Sequence, residues 1–111
     1  MKVVFHIHDE SMWPTCLANV KNFLEMSQSE KEVKVEVVAN GPAVKGYLDS
    51  VVCQKIEHLS QTGCVTFSSC QKAMANQGIK ASDFLTKIKI VPSGVFRLVE
   101  LQQQHFSYIK V

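Results

Sequence analysis

Apolar residues fall along this chain in two alternating rhythms: short β-branched runs, and longer stretches in which every third or fourth residue is apolar. Lys2 to His8 is apolar on both faces, as a strand buried between two layers must be, and predicts a central parallel strand. Pro14 suits a first helical position, and Cys16, Leu17, Val20, Phe23 and Leu24 recur at helical spacing to about Ser27. Val33 to Ala39 is a second strand, closed by Asn40-Gly41-Pro42, where Asn40 or Gly41 can cap and Pro42 can open a helix that Gly46 keeps short. Asp49 or Ser50 caps the next helix, with Val52, Ile56 and Leu59 on one face and an end near Gly63. Cys64 to Phe67 is the third strand. Ser68 and Gln71 have capping-box spacing for a helix that stops at Gly78, and Ser82-Asp83 can start one more short turn. Lys87 to Val91, a helix from Val95 to about Gln104, and an alternating Phe106 to Val111 complete the series. Strand and helix alternate throughout, which predicts an α/β fold: a mainly parallel sheet of five strands sandwiched by helices.

Composition narrows the setting. The chain has 111 residues, 46% of them hydrophobic, which is the size of one domain. A chain this long buries roughly two-thirds of its unfolded surface, so its core needs neither metal nor disulfide staples. The four cysteines are therefore not a framework. A net charge of +2 with interspersed signs offers no basic face for nucleic acid or an anionic membrane surface. The N-terminal apolar stretch is broken by His6, His8 and Asp9, which leaves no signal-peptide core or spanning helix and predicts a reducing, cytosolic home.

In an open parallel sheet the functional groups gather beyond the carboxyl ends of the strands, because every βα turn empties there. Four turns qualify here: His8 to Trp13, Asn40 to Pro42, Ser68 to Cys70, and Pro92 to Gly94. Glycines and small hydroxyl residues directly before helices would bring backbone N–H groups to one edge, which favours an anion. None of the turns carries the glycine-rich dinucleotide pattern or a phosphate loop with its lysine.

Cys70 stands out. Near the start of a helix its sulfur would lie by unpaired N–H groups that stabilise thiolate over thiol, giving a nucleophile at neutral pH; the plain alternative is a small buried hydrophobe. Cys16 falls on the first turn of its own helix and at the same rim, a possible second thiol, but it also fits the stripe of Leu17, Val20 and Leu24. Cys53 and Cys64 read as packing, and Cys64 and Cys70 sit at opposite ends of one strand, out of disulfide or metal range. Without C-x-x-C, a zinc or thioredoxin-like site has no support. His6 and His8 face one side of the first strand, but no spaced third ligand accompanies them, so no metal is expected. His6 reads as a hydrogen-bonded core histidine and His8 as a residue that either tunes a rim thiolate or meets solvent. Trp13 and Phe67 flank the rim, Phe67 more naturally as core.

Five segments, in order, resemble the DsrE/DsrF-like family: Lys2-Val3-Val4-Phe5-His6-Ile7; Val35-Glu36-Val37-Val38-Ala39-Asn40-Gly41-Pro42; Ser69-Cys70 before a helix ending Gln77-Gly78-Ile79; Ile90-Val91-Pro92-Ser93-Gly94-Val95; and Tyr108-Ile109-Lys110. The resemblance implies a three-layer α/β/α fold and assembly into homotrimers or hexamers. It also implies that Cys70 occupies the position at which sulfur-relay members accept sulfur as a persulfide and pass it to a partner protein. Asn40, Gly41, Ser93 and Gly94 match family turn positions around that site, with binding or structural roles; Ser69 and His8 join them as rim candidates. The leading expectation is a cofactor-free sulfur carrier working on Cys70 with a donor or acceptor protein. The competing ones are a non-catalytic oligomeric module holding an anionic small molecule at the rim, and a redox switch through Cys16 and Cys70, which needs their Cα atoms within about 7 Å.

Overall fold

The computed structural model describes residues 1–111. The order is β1 (Lys2–Ile7), α1 (Trp13–Met26), β2 (Lys34–Ala39), a 3-10 helix (Gly41–Leu48), α2 (Ser50–Ser60), β3 (Val65–Cys70), α3 (Gln71–Asn76), β4 (Lys89–Val91), α4 (Gly94–Gln103) and β5 (Ser107–Lys110), with single 3-10 turns at Glu10–Met12 and Ala81–Asp83. The five strands form one sheet in the order β4-β3-β2-β1-β5. Every pairing is parallel, so the sheet expected to be mainly parallel is wholly so. β1 has partners on both sides, although β2 holds the centre.

The strand alternation sorts side chains into two unequal cores. On one face Val3, Phe5, Ile7, Val35, Val37 and Phe67 meet Cys16, Leu17, Val20, Ile56 and Leu59 of α1 and α2. Trp13 seals that core against Tyr47 and Phe67, with ring centroids 5.1 and 6.5 Å away, and its indole N–H donates to Ala43 O at 2.8 Å. Trp13 is thus a core residue. The indole occupies the space a Gly46 side chain would need, which is why glycine stands inside the 3-10 helix. On the other face Val4 and Val38 pack against Leu98 and Leu101 of α4, the helix that carries the chain from β4 at one edge to β5 at the other. Burying those two leucines contributes about 2 kcal/mol each.

Caps behave as the chemistry requires. Asp49 Oδ1 accepts from Val52 N–H at 2.9 Å and starts α2. Gly63 and Gly78 hold φ of 77° and 67°, left-handed values that stop the chain after α2 and α3. One boundary differs from expectation. β3 does not end at Phe67: Ser68, Ser69 and Cys70 continue it, in register with Lys89, Ile90 and Val91 of β4. Ser68 therefore caps no helix; its hydroxyl is taken by Glu36, and the pull of sheet pairing on both sides of β3 outweighs the local capping-box pattern.

Candidate functional site

Extending β3 moves Cys70 to the last strand residue, at the N-cap of α3 with extended backbone (φ −71°, ψ 116°). Its thiol accepts no hydrogen bond from the first turn of that six-residue helix, so the helix start does not grip the sulfur as its expected place near that start implies. Cys70 is 7% exposed and opens instead onto a cavity of about 530 Å³ where three turns converge. Asn40, Gly41 and Pro42 form one wall, Lys72, Ala73, Asn76 and Gln77 of α3 and its end a second, and Ser93, Gly94 and Val95 the third. The rim candidates Asn40, Gly41, Cys70, Ser93 and Gly94 are thus brought together.

Glycine at 94 is what lets the third wall approach. A Cβ there would stand 3.1 Å from Asn40 Cβ, 3.2 Å from Cys70 Cβ and 3.7 Å from Cys70 Sγ. Ser93 fixes this turn by accepting from Phe96 N–H at 3.2 Å, which starts α4. Gln77 ties the first two walls, donating from Nε2 to Gly41 O and Ala73 O, both at 2.9 Å. Gly41, at φ 53°, packs against the His8 ring where a side chain would collide.

Behind Asn40 lies a polar chain. Asn40 Oδ1 is 3.0 Å from His6 Nε2 and 3.1 Å from His8 Nδ1, and His6 Nδ1 is 2.6 Å from Tyr108 Oη. His6 is the hydrogen-bonded histidine anticipated, half-buried on the α4 side of the sheet. Burial pulls its pKa down, the Asn40 bond pushes it up, the nearby charges of Lys110 and His8 pull it down, and the net direction is down. His8 is exposed, touches the site only through Asn40 and Gly41, and does not line the cavity.

The third wall is anchored below by an ion pair. Arg97 sends Nε to Glu36 Oε2 and Nη2 to Glu36 Oε1, both at 2.8 Å, and Ser68 Oγ donates to Oε2 at 2.8 Å. Burial alone would raise the Glu36 pKa; the Arg97 and Ser68 hydrogen bonds outweigh it and hold the carboxyl below its ordinary value. This pair went unread in the sequence, yet a signal existed: Glu36 is the one charge inside the apolar run Val35 to Ala39 and demands a partner.

Two candidates do not reach the cavity. Ser69 is fully buried and its Oγ has no hydrogen-bond partner, because strand alternation turns it away from the face shared by Ser68 and Cys70. Cys16 is sealed in the α1 core, where burial pushes its thiol up to about 12, and it takes the packing role. All four cysteines are free thiols. No three His, Cys, Asp or Glu side chains gather as metal ligands, and no helix is long and apolar enough to cross a membrane.

Against known sequences, the profile of the DsrE/DsrF-like family matches residues 1–111, the whole chain. This chain belongs to the DsrE/DsrF-like family. Among solved structures this DsrE/DsrF-like chain is similar to a protein of unknown function from Methanobacterium thermoautotrophicum, with 30% identity and a TM-score of 0.87 over 99% of this chain and 98% of that one. It shares its fold with the ychN protein of E. coli (13% identity, TM-score 0.74, 100% and 99% covered). A conserved protein of unknown function from Bacteroides thetaiotaomicron shares it as well (17% identity, TM-score 0.74, 99% and 94% covered). No curated protein matches.

Proposed function

We propose that this DsrE/DsrF-like protein is a sulfur carrier that holds sulfane sulfur on Cys70. The observation that carries the reading is the cavity above Cys70, built by three converging turns and wide enough at about 530 Å³ to admit a small sulfur donor or the tip of a partner's cysteine-bearing segment. The sulfur-relay role implied by family resemblance supports it. In the loading step the Cys70 thiolate attacks the outer sulfur of a donor persulfide. A new S–S bond forms as the donor's own breaks; the donor leaves as a thiolate and Cys70 becomes a persulfide. In the unloading step an acceptor thiolate attacks that outer sulfur and Cys70 leaves as the thiolate. Each step is an exchange on sulfur that needs no cofactor or external oxidant.

The same reading has the chain acting as a homotrimer or homohexamer. Val95, Phe96 and Val99, 64%, 65% and 47% exposed on α4 beside the cavity, support self-association; sedimentation as a monomer at micromolar concentration counts against it. The decisive test is incubation with a small-molecule persulfide donor followed by intact mass measurement. Wild type gains one sulfur atom and Cys70→Ser gains none; no gain on wild type, or equal gain on both, removes the carrier.

A further inference from the structure

The two edges of β3 are served unequally. Val35 N–H donates to Cys64 O at 2.9 Å, which sets the phase of the strand: main-chain groups of residues 64, 66, 68 and 70 point at β2, and alternation turns those of Val65, Phe67 and Ser69 to the other side. On that side β4 is three residues long and pairs only with Ser68, Ser69 and Cys70. Its ladder takes up Ser69 and reaches no lower than the Phe67 carbonyl. Val65 N–H, Val65 C=O and Phe67 N–H are left without a partner, since no turn or loop bond goes to them. Unpaired main-chain groups are uncommon in residues as buried as these, 8% and 3% exposed. Both residues line a groove of about 630 Å³ at the sheet edge, with Val65, Thr66 and Phe67 along its floor and Glu57, Lys87 and Lys89 on its rim.

We propose that this groove is a docking site for an extended acidic segment of a partner protein, which adds a strand in the track that the short β4 leaves empty. Three hydrogen bonds hold the segment: two of its carbonyls accept from Val65 N–H and Phe67 N–H, and one of its N–H groups donates to Val65 O. Pairing with an open sheet edge is a recurrent mode of peptide recognition, in which main-chain bonds give affinity and side chains give choice. Charge sets the choice here. Lys87 and Lys89 are exposed and in no ion pair, against the single Glu57, so acidic side chains are favoured. A second copy of this chain fits worse, because its own open edge strand, β5, carries Lys110 and would bring it to the same two lysines. The groove lies at the far end of β3 from Cys70, roughly 16 Å away at about 3.3 Å per residue, and does not depend on what that cysteine carries.

Amide NMR on the intact chain tests both the vacancy and the docking. Without peptide, the Val65 and Phe67 amides should exchange with solvent about tenfold faster than those of Thr66 and Ser68, which are bonded to β2, the factor set by one main-chain hydrogen bond; equal protection of all four overturns the proposal. The probe is then a blocked pentapeptide, Val-Glu-Val-Glu-Val, titrated to millimolar concentration. The Val65 and Phe67 amide protons should move downfield and their exchange should slow to match their neighbours. A peptide with lysine in place of glutamate should bind several-fold more weakly, and Lys87→Glu, an exposed change, should reverse that preference. The glutamate peptide methylated on its backbone nitrogens should lose binding. Unmoved Val65 and Phe67 amides at saturating peptide, equal binding of the methylated form, or equal binding of the lysine form each overturns the proposal. Self-association that protects the same two amides in peptide-free protein, rising with protein concentration, assigns the groove to a second copy and overturns it as well.

Discussion

Replacing Arg97 with Met probes the anchor under the site. In the folded protein the Glu36 carboxylate is 5% exposed and receives two hydrogen bonds from the Arg97 guanidinium and one from Ser68. Met fills the space of the Arg97 stem but leaves the charge with Ser68 alone. Breaking a buried pair from one side costs about 3–5 kcal/mol, because the remaining ion stays desolvated. For a domain of this size each kcal/mol moves the midpoint by about 4 °C, so thermal unfolding followed by circular dichroism should fall by roughly 12–20 °C at pH 7. The pH dependence gives the sign. In wild type the Glu36 pKa is lowered despite burial, because Arg97 and Ser68 favour the ionised form. Its contribution is present above the unfolded carboxylate value, about 4.3, and is lost as pH falls through the folded one. In the variant burial is opposed only by the Ser68 hydrogen bond and the charge of Lys89, the folded pKa rises relative to wild type, and the penalty is relieved on acidification. The gap between the two proteins should therefore narrow from pH 7 toward pH 4. Adding Glu36→Gln removes the stranded charge while preserving an acceptor for Ser68, and should restore about 1–2 kcal/mol. A loss below about 1 kcal/mol for Arg97→Met, or a double variant no more stable than the single, refutes the account of this pair as a desolvated, mutually required unit.

Two further outcomes follow from the site and the core. Gly94→Ala places a methyl 3.1–3.2 Å from the Asn40 and Cys70 β-carbons and narrows the cavity mouth; alkylation of Cys70 should slow several-fold and the melting temperature should fall as the third wall is pushed back, and an unchanged rate would show that reagents reach the sulfur by another path. Cys16 has its thiol raised from 9.0 to about 12 by burial, so the folded state keeps the proton longer than the unfolded one. That contribution is complete below pH 9 and is lost as pH rises toward 12, at up to about 1.4 kcal/mol per pH unit; urea unfolding of Cys16→Ala should show a shallower alkaline decline than wild type, and parallel declines would dismiss the burial argument.

Much of the architecture was legible because the two hydrophobic periods are strong. The β-branched runs, the Asp49 cap and the left-handed stops at Gly63 and Gly78 are local features, and each appears close to where the chain pattern puts it. The error at Ser68 has the same origin in reverse. A capping box is a local preference of modest energy, whereas Ser68 and Ser69 pair with both β2 and β4 and Cys70 with β4. Whether those ladders exist depends on strands more than fifteen residues away in sequence, so the third strand runs on to Cys70. Ser69 lies outside the cavity lining for the same reason: adding three residues to the strand fixes by alternation which side chains face each side of the sheet, and Ser69 is buried on the other one.

The residue pattern alone determined the fold class, the set of turns at one rim and Cys70 as the cysteine of interest, because amphipathic period, turn chemistry and helix stops are properties of neighbours in the chain. Tertiary structure decided the rest. It seated Cys16 in the core and Cys70 at a cavity, set Gly94 against Cys70, and joined His6, His8, Asn40 and Tyr108 across three strands. It also paired Glu36 with Arg97, sixty-one residues apart. These are distances between elements that meet only when the sheet has taken its order and register, and desolvation and hydrogen-bond direction act on the assembled neighbourhood.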